Sequence, residues 1–352
     1  MGALPAPRGA ISEFLLAALR EKPHSLASLA VPASVDPLAD DDLQLALYLC
    51  YELHYRGLPG VDDGWEWEPS LLALRAGVEQ AFEHALREAA PMSDEASSEE
   101  KVDEVLKAIA GRDGASLSPY IQRRASLEQV REFLIHRSAY QLKEADPHSW
   151  AIPRLSGPPK AALIEIQADE YGGGRPEWIH AELFARSMRA LGLDSTYGAY
   201  LDVIPGITLA TVNQMSLFGL HRRLRGAIVG HLALFEMTSS IPNRRYADGL
   251  RRLGLGGDAT LFFDEHVEAD AVHENVAAVD LAGGLVDQNP SLRGSIIWGA
   301  ETLDYLSERW ASHVLECWEQ NRGSLRTELD GQAPAGDREV SVVPGARNPI
   351  SL

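Results

Sequence analysis

Apolar residues recur along this chain with the spacing of α-helices, and the alternation that is typical of β-strands is nearly absent. We therefore predict an all-α fold. In the first third of the chain the pattern predicts helices over 11–20, 41–55, 70–90 and 102–110. The acidic segment 93–101 is predicted to be an exposed loop or a helix start, and glycines at 111 and 114 end the fourth helix. We place a domain boundary near residue 120.

Longer helices are predicted beyond this boundary. The first runs over 126–145, and Pro147 stops it because proline cannot continue a helix. The helical pattern over 160–191 is interrupted by three glycines, 172–174, and by Pro176. One long core helix is predicted over 208–239, ending before a proline. The remaining predictions are helices over 243–253, 260–281 and 291–321, and an extended or mobile tail over 326–352 that is rich in glycine, proline and charge.

The charge and cysteine content narrow the class of protein. A formal net charge of -19 argues against nucleic acid or an anionic membrane as the main partner. Cys50 and Cys317 are too few for a disulfide framework or a cysteine-rich metal site. The N-terminal apolar run is short and lacks a basic segment before it, so we predict no signal peptide. No apolar run approaches the roughly 20 residues that span a bilayer. We expect a cytoplasmic protein.

The segment 266–273, HVEADAVH, carries the most informative spacing in the chain. His266, Asp270 and His273 stand at i, i+4 and i+7, and they therefore fall within about 60° of one another on a helix. Imidazole and carboxylate together suit iron, manganese and zinc. The alternative is an acidic surface stripe, because further glutamates are interspersed at 265, 268 and 274. The spacing alone leaves both interpretations open.

Glu236 lies at the end of an apolar run, 227–237. An unpaired carboxylate is costly to bury, since its desolvation costs several kcal/mol. Glu236 therefore either faces solvent or coordinates a cation. Its neighbours Leu232, Phe235 and Met237 favour coordination.

Glu170 and His180 flank the interrupted part of the helical pattern. On a regular helix, ten residues would leave them about 80° apart, but the glycines and proline between them permit a break that corrects this. Glu177 is a rival, because Glu177 and His180 form the i, i+3 pair of helical diiron proteins. The alternative, which we prefer, places Glu177 on a solvated face. Glu165 is interpreted as a polar-face residue.

Residue type and spacing do not single out Glu144, which lies near the end of the helix predicted over 126–145. His136, Asp146 and His148 are nearby alternatives. Each of these three is interpreted as a structural or an exposed residue.

Three motifs together resemble the heme-oxygenase-like diiron oxidases and oxygenases, which are also described as iron-containing redox enzymes. They are DEYGGG at 169–174 followed by His180, GHLALFE at 230–236, and the His-Asp-His helix. The resemblance covers residues 125 to 320, and the order of motifs is especially similar to the N-oxygenating branch. It implies seven ligands for two irons: Glu144, Glu170, His180, Glu236, His266, Asp270 and His273.

The resemblance also implies a fold and an activity. The fold is a heme-oxygenase-like helical bundle over 121–325, preceded by a helical region over 1–120 that forms a homodimer surface or covers the site. The implied cofactor is a pair of non-haem Fe(II)/Fe(III) ions, without haem and with O₂ as co-substrate. A peroxo-diferric intermediate would N-oxygenate an amine or amino acid in natural-product biosynthesis, with electrons from an external reductant. Some relatives add a cupin domain with its own metal, but no histidine follows His313 here, so we expect no second iron chemistry.

Two function classes remain open besides N-oxygenation. The same cluster could cleave C–C bonds oxidatively, or decarboxylate an amino or fatty acid. From another class, the chain could be a non-catalytic iron-binding or helical interaction protein. A hydrolytic zinc or manganese site is disfavoured, because seven ligands leave too many carboxylates for one Lewis acid.

Substrate contacts are predicted from proximity to the expected ligands. Tyr140, Tyr171 and Phe263 stand within a turn of those ligands. Arg225 is chosen as a partner for a substrate carboxylate from an arginine group that also includes 222 and 223. The alternatives are core aromatic residues and a cationic surface stripe.

Overall fold

The computed structural model describes residues 4–91 and 100–327, apart from the side chains of 268–272. Most of the acidic segment predicted at 93–101 and most of the tail predicted at 326–352 lie outside the described residues. Within the described part, the chain is helical and contains no strand, which confirms the all-α prediction. The helices are α1 (Ala10–Leu19), α2 (Asp41–Glu52), α3 (Pro69–Ala89), α4 (Val102–Ala110), α5 (Ser118–Arg123), α6 (Leu127–Gln141), α7 (Asp146–Ser149), α8 (Gly157–Glu170), α9 (His180–Ala190), α10 (Gly206–Leu220), α11 (Arg225–Arg252), α12 (Asp258–Asn275), α13 (Gly284–Gln288) and α14 (Arg293–Glu319).

Helix α6 shows how local sequence sets the ends of these elements. The Ser126 hydroxyl accepts from the backbone N–H of Gln129, and the Gln129 side chain accepts from the backbone N–H of Ser126. This capping box satisfies two backbone donors at the start of the helix. The helix ends at Gln141, and Ala145 then adopts a left-handed φ of 70°. Glu144 consequently lies in a turn rather than on the helix.

The predicted interruption between α8 and α9 is confirmed. Gly172, Gly173 and Gly174 all have positive φ, a conformation that glycine adopts at low cost. A Cβ atom at Gly172 would lie 2.6 Å from the backbone carbon of Trp178. The break therefore requires glycine at this position, and it places the end of α8 beside the start of α9.

The prediction of one helix over 208–239 was wrong. His221 is extended, with φ -98° and ψ 110°, and it separates α10 from α11. Its Nε2 lies 2.9 Å from a carboxylate oxygen of Glu79 on α3, a contact that the local pattern does not encode. Pro242 does not end the helix either, because α11 continues through it. Packing of α11 against α5, α12 and α14 offsets the cost of about 3 kcal/mol for an interior proline.

Helices α11 and α14 approach each other closely at two glycines. A Cβ atom at Gly230 would lie 1.8 Å from the Ile296 carbonyl oxygen, and one at Gly299 would lie 2.0 Å from the Ala227 carbonyl oxygen. No larger residue fits either position without moving a backbone. This contact sets the position of α11 against α14, and α11 carries Glu236.

A single cluster of buried apolar residues extends from Ile11 to Trp318. In it, α2 packs against α10 and α1 packs against α2. The division into a helical region over 1–120 and a bundle over 121–325 stays a prediction. Within the described residues, no helix is both long and apolar enough to cross a membrane.

Candidate metal centre

Six of the seven predicted ligands meet in the interior of the bundle. Two groups of side chains form there, and within each group one ligand atom per residue lies within 4.8 Å of all the others. The first group contains Glu144, Glu170, His180 and His266. The second contains Glu170, Glu236 and His273, so Glu170 belongs to both. This arrangement offers two adjacent cation sites that share one carboxylate.

The six side chains come from five elements of the chain. Glu144 comes from the turn after α6, Glu170 is the last residue of α8, and His180 is the first residue of α9. Helix α11 supplies Glu236, and α12 supplies the other two imidazoles. All six side chains are between 1 and 6% exposed. The centre therefore exists only when these elements are packed together.

Each imidazole faces a carboxylate. His180 Nδ1 lies 3.0 Å from Glu170 Oε2, and His266 Nε2 lies 3.6 Å from Glu144 Oε1. His273 Nδ1 lies 3.5 Å from Glu236 Oε2.

Two of the imidazoles are oriented by hydrogen bonds from the nitrogen that faces away from the site. His266 Nδ1 donates to the Phe262 carbonyl at 2.8 Å, which leaves Nε2 toward Glu144. His273 Nε2 donates to Asp169 Oδ2 at 2.9 Å, which leaves Nδ1 toward Glu236. Such partners hold an imidazole in the tautomer and direction that a metal requires. The role of Asp169 was missed in the sequence, although it stands beside Glu170 in the DEYGGG motif.

The buried carboxylates and imidazoles of this site shift one another's pKa values. Burial raises the pKa of Glu170, but the neighbouring charges of His180 and His266 outweigh it and hold this pKa at about 2. Burial lowers the pKa of His273, but the adjacent carboxylate of Glu236 outweighs it and raises this pKa to about 9. Without a metal, protonated imidazoles supply the positive charge that the carboxylates require.

Several buried ligand atoms lack a hydrogen bond of good geometry among the described residues, although three of them lie within 3.5 Å of an oppositely charged ligand atom. They include Glu144 Oε2, Glu170 Oε2, His180 Nδ1 and His273 Nδ1. An unsatisfied buried polar atom costs about 1–3 kcal/mol, so their concentration in one place calls for a further group that binds them. A set of carboxylate oxygens and imidazole nitrogens suits iron. The residues present therefore fit the implied metal.

Comparison with known proteins agrees with this chemistry. Residues 131–307, half of the chain, match the model of a family described as iron-containing redox enzymes. The chain belongs to this family. It is an oxidoreductase, and the predicted resemblance is confirmed.

A curated relative of this iron-containing redox enzyme is nitrosourea synthase from Streptomyces achromogenes subsp. streptozoticus, with 27% identity over 215 residues. The alignment covers 59% of this chain and 45% of the relative, so the chain spans less than half of the relative's length.

The remaining sequence-derived candidates lie in different places. The side chain of Asp270 lies outside the described residues, so its ligand role stays a prediction. Glu177 and Glu165 are exposed, in agreement with the preferred interpretation. Of the alternatives near Glu144, only His148 lines the small cavity of the centre, and its Nε2 lies 3.1 Å from His231 Nδ1.

Only one of the four predicted substrate contacts lines the small cavity of the centre. Tyr140 lines the cavity beside Glu144, Glu170 and Glu236. The Tyr171 hydroxyl instead bonds Asp146 and Ser149, and Phe263 packs against Tyr246. Arg225 lies eleven residues before Glu236 on α11, about 16 Å along the helix. The last three do not line this cavity.

Proposed function

We propose that this protein is an O₂-activating, non-haem diiron oxygenase that N-oxygenates a small amine or amino acid. The observation that carries the proposal is the pair of overlapping ligand groups that share Glu170. Two adjacent sites with a common carboxylate are the arrangement that a diiron centre requires.

The ligand roles follow from the two groups. In this proposal Glu144, His180 and His266 hold one iron, and Glu236 and His273 hold the other together with Asp270. Glu170 serves both. When bound, two ferrous ions would supply electrons for the reduction of O₂.

The protein's own contribution is orientation and the exclusion of water. Asp169 and the Phe262 carbonyl orient two imidazoles, and Gln141 Nε2 lies 3.4 Å from Glu144 Oε1. The ligand side chains are nearly inaccessible, so the centre lies in a region of low dielectric constant where charge interactions are strong.

Nitrogen is proposed as the oxidised atom because of the similarity to a nitrosourea synthase. A nitrosourea contains an oxidised nitrogen. We extend this chemistry to a small amine or amino acid and to a biosynthetic role, with an external reductant.

The proposal is tested by anaerobic titration with Fe(II), followed by rapid mixing with O₂ in the presence and absence of amines. We expect saturation near two irons per chain, a transient visible absorption, and faster decay of that absorption with substrate. Mass spectrometry should then detect a hydroxylamine or a more oxidised nitrogen product. Binding of one metal only, or no reaction with O₂, would favour the non-catalytic alternative, and release of CO₂ or an alkene would favour C–C cleavage.

Asp270 provides a second test of the ligand set. Replacement of Asp270 by Ala should remove the iron held by Glu236 and His273 and abolish turnover. Full iron content and full activity in this variant would show that the ligand assignment is wrong.

A further inference from the structure

An open cleft lies against the candidate metal centre without being part of it. The cleft lies between the segment 176–185 around the start of α9, the turn after α6 and the loop 195–197. Among the described residues, it shares no lining residue with the small cavity of the centre. Its volume of about 710 Å³ is within the range of sites that bind cofactor-sized molecules. The cleft is therefore a candidate site for a second ligand.

The wall between this cleft and the metal centre is thin in two places. Ile179 and Ala181 line the cleft, and His180 between them is a proposed ligand. Leu142 also lines the cleft, and Glu144 follows it two residues later. Two residues span at most about 7 Å of chain. Electrons can tunnel through such a wall, whereas an oxygen atom cannot be passed through it, so the cleft suits a supply of electrons rather than a substrate.

The back of the cleft is apolar and rigid. Leu142 and Ala185 are buried there, and Ile179 is partly buried. The Tyr197 ring also lines the cleft, and its hydroxyl accepts a hydrogen bond from the Tyr48 hydroxyl at 2.9 Å. A fixed apolar surface that includes an aromatic ring is suited to a flat ring system.

Arg56 adds a positive charge beside this apolar surface. Its guanidinium lies over the Tyr197 ring, 5.0 Å from the centroid, and 49% of its side chain is exposed. The contact with Asp146, at 3.4 Å, is at the long end for a hydrogen bond. Glu182 also lines the cleft, but Arg189 neutralises it at 2.5 Å. Arg56 therefore has donors to offer to a phosphate or carboxylate.

The proposed function restricts the chemistry of the electron donor. A ferric ion accepts one electron, so a pair of them is reduced in single-electron steps. A nicotinamide delivers two electrons together as hydride, whereas a reduced flavin can release them one at a time. One reduced flavin and two ferric ions give one oxidised flavin, two ferrous ions and two protons that pass to water.

We propose that the cleft binds a reduced flavin nucleotide that supplies electrons to the metal centre. The flavin ring lies on the apolar wall beside Tyr197, and the phosphate is bound by Arg56. Electrons pass from the ring through the turn 142–144 and the start of α9. The need for these electrons rests on the proposed function, but the binding of the flavin can be measured without it.

The first test compares flavin mononucleotide with riboflavin, which has the same ring system but no phosphate. Calorimetry with both oxidised flavins would measure binding to the iron-loaded protein without any turnover. We expect flavin mononucleotide to bind at least tenfold more tightly than riboflavin. A dissociation constant above about 1 mM for flavin mononucleotide, or equal affinity for the two flavins, would overturn the proposal. This result does not depend on any variant folding.

Substitutions then locate the flavin. Arg56→Met should weaken binding of flavin mononucleotide at least tenfold and leave the affinity for riboflavin within twofold. Thr196→Trp, at an exposed position of the cleft, should fill the space and weaken binding of both flavins. Glu177→Gln is the matched control in the same cleft and should bind flavin mononucleotide at least as tightly, because it removes a negative charge. Unchanged binding in Arg56→Met and Thr196→Trp would overturn the assignment.

Anaerobic mixing of the diferric protein with reduced flavin mononucleotide tests the transfer of electrons. The rate of iron reduction should reach a plateau as the flavin concentration rises, and Arg56→Met should raise the concentration for half of that plateau at least tenfold. Iron content checks that each variant keeps its metal centre. A rate without a plateau that is the same in Thr196→Trp would show that electrons enter elsewhere.

The outcomes separate this inference from the proposed function. Flavin binding and iron reduction that depend on Arg56, without an N-oxygenated product after O₂ and amines are added, would retain the cleft and reject the function. N-oxygenation driven by reduced flavin at equal rates in the wild type and in Thr196→Trp would retain the function and reject the cleft.

Discussion

Lys143 and Glu144 are adjacent in the chain, yet their side chains belong to two differently built clusters of buried charge. Lys143 forms an ion pair with Glu52, and both side chains are almost inaccessible. The ammonium also lies 4.4 Å from the centroid of the Tyr55 ring and 4.9 Å from that of Tyr48. Glu144 joins the other carboxylates of the candidate metal centre, which are paired with imidazoles instead.

The difference between the two clusters lies in whether the cation that balances the carboxylates can be replaced by a metal ion. Lys143 neutralises its buried carboxylate with a cation from the chain itself, so the charge of that cluster is balanced without a ligand. An imidazole can release its proton and coordinate a metal through the same nitrogen. The imidazole-rich cluster can therefore exchange protons for iron, whereas the lysine cluster stabilises the packing of α2 against the turn after α6.

The largest expected effect comes from removing the carboxylate that both sites share. Glu170→Ala should abolish turnover and reduce iron well below the stoichiometry of about two that a diiron centre binds. Iron would be measured by mass spectrometry after reconstitution. Glu177→Ala, an exposed glutamate on the adjacent segment, is the matched control and should retain both irons. A loss of iron in Glu177→Ala with full iron in Glu170→Ala would reverse the two roles.

The second-largest effect is expected from breaking the buried ion pair between Lys143 and Glu52. Lys143→Met should destabilise the metal-free protein by about 3–5 kcal/mol, because it leaves the Glu52 carboxylate buried and unpaired. Urea denaturation would measure the change in the free energy of unfolding. The double variant Glu52→Gln, Lys143→Met should recover most of this loss. A change below about 1 kcal/mol in the single variant would show that the pair is not required for stability.

A smaller effect on metal binding is expected from replacing Asp169, which accepts a hydrogen bond from His273. Asp169→Asn removes the charge that orients His273 but keeps a side chain of the same size. We expect metal affinity to fall by about 10–100-fold, as is typical when such a partner is changed. Competition with a chelator would measure it, and Asp264→Asn serves as control, because Asp264 is a half-buried aspartate on α12 that pairs with Arg251 rather than with an imidazole. Equal affinity in the two variants would exclude an orienting role for Asp169.

The last prediction concerns the pH dependence of stability and compares two buried imidazoles that have different neighbours. His136 contacts the hydroxyls of Thr208 and Ser324 rather than a carboxylate, and burial lowers its pKa to about 3 from an ordinary 6.5. Carboxylates instead raise the pKa of His273 to about 9.

The sign of the pH effect follows from the direction of the shift. The unfolded chain binds a proton at His136 below pH 6.5, whereas the folded chain does not until about pH 3. Stability from this group is therefore present above pH 6.5 and is lost as the pH falls toward 3. His136→Gln should flatten this part of the stability curve, measured by urea denaturation from pH 4 to 8. An unchanged difference between variant and wild type over that range would contradict the expectation.

Local spacing in the sequence predicted much of the metal centre. The i, i+4, i+7 pattern placed His266 and His273 on one helix face without deciding between a metal site and a surface stripe, and the glycines before Pro176 predicted the break that brings Glu170 to His180. These features follow from the geometry of one helix or one turn. Glu144 was different, because it lies in a turn after α6 and only the family resemblance identified it.

Tertiary packing decided the rest. The break at His221 and the continuation of α11 through Pro242 both depend on contacts between distant segments. The close approach of Gly230 to Ile296 is one such contact, and it helps to position Glu236 opposite α12. Helical periodicity determined which side chains share a face of one helix. Only the packing of the helices determined which faces meet, because that depends on the shapes of surfaces far apart in the chain.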